Sequence, residues 1–185
     1  MQRYSKASAI VFGLMMTVLC IVIAVETVLR KFLGHSLAGV DELSGYAIAI
    51  GAPLCFTVAV IEQAHIRINL LHMKMPAFLQ AATNLLAALT LAGLALFLLV
   101  FTARTVQETQ LFQSVAQTPW ATPLIWPQAL WLVGMSVFAL AAVLLAARAV
   151  RLALAGRGTT LRRDYGPDTV ENELEAELSD LEARA

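Results

Sequence analysis

Apolar positions in this chain come in four long blocks, too continuous for the two-residue period of a half-buried strand. Ala7–Val25 runs 19 residues without a charged side chain, Leu43–Ile61 also 19, Ala77–Ala103 27 and Thr109–Ala147 39. A bilayer core about 30 Å thick is crossed by roughly 20 apolar residues of helix. The pattern therefore predicts four membrane-spanning helices, at residues 8–29, 43–61, 77–103 and 125–147. The third is long enough to tilt or to run past the headgroups. The expected fold class is an all-α integral membrane protein with four transmembrane helices, both termini cytoplasmic, and amphipathic connecting segments. Residues 1–150 make the transmembrane domain, and 151–185 a cytoplasmic tail that is basic and then acidic.

The connections carry their own patterns. Ile66–Leu79 alternates apolar groups with Arg67, His72 and Lys74, and reads as an amphipathic stretch along one leaflet. Arg104–Gln117 reads as an amphipathic or helix-extending segment, with Arg104 and Glu108 one turn apart. Pro119, Pro123 and Pro127 exclude a continuous helix before the fourth span, and Pro53 should kink the second. In the tail, Asp168 followed by Glu171 resembles a capping box. Val170, Leu174, Leu178 and Leu181 follow at helical spacing, so a helix is expected from 168. Small residues line two spans: Gly45, Ala49 and Ala52, with Ala47 and Gly51 nearby, and Ala88, Ala92 and Ala95. In lipid, small residues let backbones approach closely.

Composition agrees. Of 185 residues, 59% are hydrophobic and 14% charged, with a mean hydropathy of +0.73; soluble domains carry about 25% charge. A water-soluble domain, a disulfide scaffold and a disordered chain are excluded. The formal net charge of zero hides an asymmetry: 8 of the 13 acids follow Arg163. Arg148, Arg151, Arg157, Arg162 and Arg163 form a basic stretch that reads as a topology anchor. With the N-terminus inside, inner segments carry nine basic residues and outer loops three (Arg30, Lys31, Arg104), which favours cytoplasmic termini. Trp120, Trp126 and Trp131 then gather where the fourth span starts, at headgroup level. The first apolar run exceeds a secretory core and lacks a small-x-small cleavage site, so it is expected to stay as a helix. Cys20 and Cys55 sit within apolar spans as small hydrophobes.

Ionisable groups near mid-bilayer mark membrane catalysts and conductors, and here they are nearly lacking. Glu26, in the last turn of the first span, has Arg30 four residues on, which reads as an interfacial ion pair. Asp41 and Glu42 open the second span, where acids favour a helix N-terminus. His35, His65 and His72 lie outside the spans, so facing haem ligands are lacking. Gln80, Thr83 and Asn84 suggest modest interhelical hydrogen bonding. No catalytic, cofactor-binding or metal residues are expected, and no nucleic-acid partner.

The stretch Arg30-Lys31-Phe32-Leu33-Gly34-His35-Ser36, then Asp41-Glu42-Leu43-Ser44-Gly45-Tyr46, then His65-Ile66-Arg67-Ile68-Asn69-Leu70, resembles a known family. It is similar to the small membrane subunit (DctQ type) of tripartite ATP-independent periplasmic, or TRAP, transporters, over residues 8–150. That family has an Arg and a small polar loop after span one, a Glu-Leu opening span two, and a His-hydrophobic-x-hydrophobic-Asp pattern after it. Pro119–Gly134 resembles the family's Pro-rich, Trp-containing start of span four. The chain departs at Asn69, where the family often has Asp, and in its longer acidic tail. The resemblance implies a non-catalytic scaffold subunit in a bacterial inner membrane. A large multi-span partner would carry substrate and the coupling sodium ions. A periplasmic binding protein would deliver an organic acid. It further implies partner-interface roles for Arg30, Glu42 and His65, with Tyr46, Gly51, Arg67, Asn69 and Trp120 as further candidates.

Two other classes compete with it. A stand-alone oligomeric four-span exporter or channel would need an essential membrane-embedded charge such as Glu26. A membrane anchor for a redox enzyme would need haem ligands that the histidine placement does not provide.

Overall fold

The structure, a computed structural model, describes residues 2–63, 74–166 and 178. Its order is α1 (Gln2–Phe32), α2 (Val40–Ile61), α3 (Ala77–Phe112), α4 (Ile125–Leu154) and α5 (Gly158–Tyr165). The first four are long and apolar enough to cross a membrane. At 1.5 Å per residue, 36-residue α3 spans about 54 Å, well beyond a hydrocarbon core.

All four predicted spans are present, and each helix outruns its apolar block. Helix α2 starts at Val40, three residues before the expected span, and so takes Asp41 and Glu42 into its first turn. Helix α3 extends through the Arg104 segment to Phe112, and α4 carries Arg148 and Arg151 in its last turns. Charged residues end an apolar pattern without ending a helix, because Arg and Glu are good helix formers. Pro53 lies inside a continuous α2, although the ring removes one backbone donor. The tail helix expected from 168 lies outside the described residues apart from Leu178. Helix α5, unforeseen, occupies the basic stretch.

Five hydroxyls within the spans are satisfied by their own helices. Thr17, Thr57, Thr83, Thr102 and Ser136 each donate to the carbonyl four residues back, at 2.7–2.9 Å. Such back-bonding needs no partner helix. Gln80 donates to the Met75 carbonyl at 2.9 Å, and Thr83 also lies 3.0 Å from the Gln80 carbonyl.

Two compact units are present. The first contains Met1–His65 and Leu89–Leu145. Within it α2 is the shared element. Gly51 meets Phe12 and Met15 of α1, where a Cβ would collide with the Phe12 ring. Two residues on, and on the opposite side of α2, Pro53 packs on Gly134 of α4, 2.9 Å from where a Cβ would stand. Phe56 tilts against Phe138 at 5.6 Å between centroids. The small-residue face that packs inside the chain is thus Ala47 and Gly51, both buried. Gly45 is exposed and Ala49 and Ala52 are half-buried. On α1 none of the apolar window is buried, and Ile10, Leu14, Val18 and Ile21 are all exposed.

The second unit contains the described residues of Ile66–Ala88 and Ala146–Ala185. Helix α4 ends in a Schellman-type turn: Gly156 adopts φ +68°, and the Gly156 and Arg157 amides donate to Ala153 and Leu152 at 3.1 and 3.0 Å. The chain then starts α5, whose Leu161 and Tyr165 are buried while Asp164 takes an ion pair from Arg148 at 2.5 Å. Burial raises the Tyr165 phenol above its ordinary value, with Arg148 opposing and Asp164 adding. Burial anchors α5 more than charge does, since the Arg148 side chain is 65% exposed. Leu161→Ala is accordingly expected to cost about 2–4 kcal/mol and release α5, whereas Asp164→Asn should cost under about 1 kcal/mol. Amide hydrogen exchange over 158–165 measures both, and equal effects would contradict this ranking.

Candidate functional site

The candidate residues that the structure brings together lie where the α1–α2 and α3–α4 connections meet the start of α2, within the first unit. The α3–α4 connection is a short hairpin. Gln113 closes α3 with φ 48°, Val115 and Pro123 form an antiparallel bridge, and Ala116 and Leu124 donate to Thr122 and Ser114 at 2.9 and 3.1 Å. Its tip is a β-turn from Thr118 to Ala121, closed at 3.0 Å. Pro119 stands at the second position, where its fixed φ suits the turn. The proline spacing that excluded a helix thus marks a built hairpin.

This hairpin presses on the start of α2. The Trp120 ring lies over Gly39, where a Cβ would come within 2.5 Å of it. Gly39 also has φ 106°, a conformation that favours glycine. Three residues on, Glu42 is only 7% exposed. Its Oε2 accepts from the Thr122 hydroxyl at 3.2 Å, while Oε1 is buried without a hydrogen-bond partner. Tyr46 is one turn further along α2, beside both Glu42 and Thr122. A carboxylate in a first helical turn is also favoured by the helix dipole.

The α1–α2 connection is held by the other acid. Glu26 accepts from the Ser36 hydroxyl and the Leu37 amide, each at 2.6 Å, and the Ala38 amide donates to Ser36 Oγ at 3.2 Å. Gly34 and Ala38 take positive φ in this turn. Arg30 attracts Glu26 through space, and the carboxylate oxygens themselves are engaged by the loop. The i, i+4 spacing pointed to Arg30 because it ignores residues ten and eleven positions away. Two acids therefore clamp two connections to the ends of α1 and α2.

The candidates thus separate. Glu42, Tyr46 and Trp120 converge with Gly39 and Thr122. Gly51 is covered by the chain's own Phe12. Arg30 is exposed at the end of α1. His65, Arg67 and Asn69 lie outside the described residues. Sequence reading missed Thr122, Ser36 and Gly39. Only Gly39, just before the acids that open α2, carried a usable signal, as a residue suited to a positive φ at a helix start. Among the described residues no group of three or more His, Cys, Asp or Glu is placed to hold a metal ion.

A comparison with curated proteins finds no match. A family model described as "Tripartite ATP-independent periplasmic transporters, DctQ component" matches residues 19–153, which include α2, α3 and nearly all of α4. That match takes in the clamped connections as well as the spans. With four membrane-capable helices and most of its length matched, the chain belongs to the DctQ family, the small membrane component of TRAP transporters.

Proposed function

We propose that this chain is a non-catalytic scaffold: it braces the large transport subunit and helps dock a periplasmic substrate-binding protein, serving ion-gradient-driven uptake of an organic acid. One observation carries the bracing role. Helix α1 buries none of its apolar window and presents Ile10, Leu14, Val18 and Ile21 along its length, a face available to a larger membrane partner. Small residues left open on α2, Gly45 above all, suit close helix approach. In this reading Arg30 and Trp120 contact a partner directly. Glu42, Tyr46 and Gly51 act by holding the shape of that surface, and His65, Arg67 and Asn69 contribute from the α2–α3 connection. Coupling sodium ions belong to the large subunit.

The chain copurified from native membranes is expected to bring a larger multi-span protein with it. Reconstituted alone, it should move no solute; uptake by vesicles holding only this chain would overturn the proposal. The stand-alone exporter or channel needs an essential membrane-embedded charge such as Glu26, whereas engagement of both Glu26 oxygens by the α1–α2 loop supports a structural role for it.

The proposal includes a bacterial inner membrane with both termini cytoplasmic. A fluorescent reporter fused after Ala185 is expected to fluoresce, whereas a well-expressed dark fusion would reverse the orientation.

A further inference from the structure

The end of α4, its turn and α5 carry a concentration of one kind of side chain that the scaffold role does not use. Between Arg148 and Gly166 there are five arginines, one aspartate and no lysine, a net charge of +4. The aspartate is already engaged, pairing with Arg148 and standing 3.6 Å from Arg163. Arg151 and Arg157 are exposed, Arg162 is half-buried, and the Arg163 side chain is 88% exposed. These groups are held on a defined frame. The Gly156 turn is closed by three backbone hydrogen bonds at 3.0–3.1 Å, and Leu161 and Tyr165 fix α5 by burial. Between Arg151 and Arg157, Leu154 is 84% exposed, the largest exposure among the large apolar residues of α4.

An exposed leucine flanked by guanidinium groups at the end of a membrane-crossing helix suits one environment, the boundary between headgroups and acyl chains. A topology anchor needs positive charge alone. Arginine adds a planar fork that grips a phosphate with two parallel hydrogen bonds. A frame already ordered loses little entropy on binding. We propose that Arg151, Arg157 and Arg163, with Leu154, form a binding site for the phosphate of anionic phospholipids. The ligand class is a phosphodiester headgroup with net negative charge, and the lipid rather than a free anion is its source, because Leu154 reaches for an acyl chain.

The test uses the full chain in mixed micelles titrated with phosphatidylglycerol or phosphatidylcholine, with bound lipid read by native mass spectrometry. Phosphatidylglycerol is expected to be retained over phosphatidylcholine by on the order of a hundredfold, with the preference shrinking as salt rises. Arg151→Gln, Arg157→Gln and Arg163→Gln should each reduce it about fivefold, and the matching lysine variants less. Unchanged far-ultraviolet circular dichroism shows that each variant folds, and Arg148 is left intact so that α5 stays docked. Equal retention of the two lipids overturns the site, including where the acid-rich residues after Pro167 occupy the arginines instead. A preference that survives the triple glutamine variant also overturns it. Displacement of the lipid by millimolar inorganic phosphate would overturn the lipid as ligand in favour of a soluble anion.

Discussion

Gly51→Leu is expected to destabilise the first unit by about 1–3 kcal/mol or more, because a side chain there enters space held by the Phe12 ring. In lipid, the apolar solvent around α1 and α2 offers no hydrophobic incentive for association, so close packing must supply it. A glycine at the crossing point makes that approach possible. Thermal unfolding of the purified chain in detergent measures the loss. Phe12→Ala should be costly alone yet mitigate Gly51→Leu, with a coupling of at least about 0.5 kcal/mol between them. Gly45→Leu supplies the contrast. A Cβ at Gly45 meets nothing within 4 Å, so the isolated chain should be nearly unaffected, while copurification of the large subunit should fall. If Gly51→Leu and Gly45→Leu unfold at the same temperature, the assigned crossing is wrong.

Glu42→Ala is expected to release the α3–α4 hairpin from α2 at a cost of about 1–3 kcal/mol. It leaves the half-buried Thr122 hydroxyl without its acceptor and opens a void beside Tyr46. Glu42→Gln keeps an acceptor oxygen for Thr122 and should be near neutral, and Thr122→Val should fall between the two. With Trp126→Phe and Trp131→Phe as background, Trp120 becomes the only indole. Its emission reports whether it still lies over Gly39. A red shift in Glu42→Ala but not in Glu42→Gln is the expected pattern. The same emission in all three variants would show that the carboxylate does not hold the hairpin.

The two predictions differ in how far the chain alone announced them. Gly51 stood out as a small residue four positions from Ala47, and both are buried, although the companion set Gly45, Ala49 and Ala52 looked equally suited to packing. Spacing identifies a face without saying which neighbour covers it. For Glu42 the order was reversed. Its position at the start of α2 was evident from the acids themselves, but its partner is Thr122, eighty residues away. Side-chain pairs at that separation depend on how the hairpin folds back, and no periodicity encodes it. Glu26 shows the same limit at shorter range. Helical spacing offered Arg30, which attracts the carboxylate through space, but could not offer Ser36 and Leu37, which the loop delivers to it as hydrogen-bond donors.

From its residues alone this chain was committed to four apolar helices, because a bilayer demands about 20 apolar residues per crossing and leaves backbone groups no partners except those within the helix. Length and hydropathy are local properties, so they survive without knowledge of any contact. Tertiary structure decided which small residues meet, that Pro53 sits against Gly134, that Glu42 is closed in by Thr122 and Trp120, and that the basic stretch folds as α5 on buried Leu161 and Tyr165. Those outcomes depend on the rotation and crossing of each helix, which among apolar surfaces of similar composition are selected by shape and by single hydrogen bonds rather than by hydrophobicity.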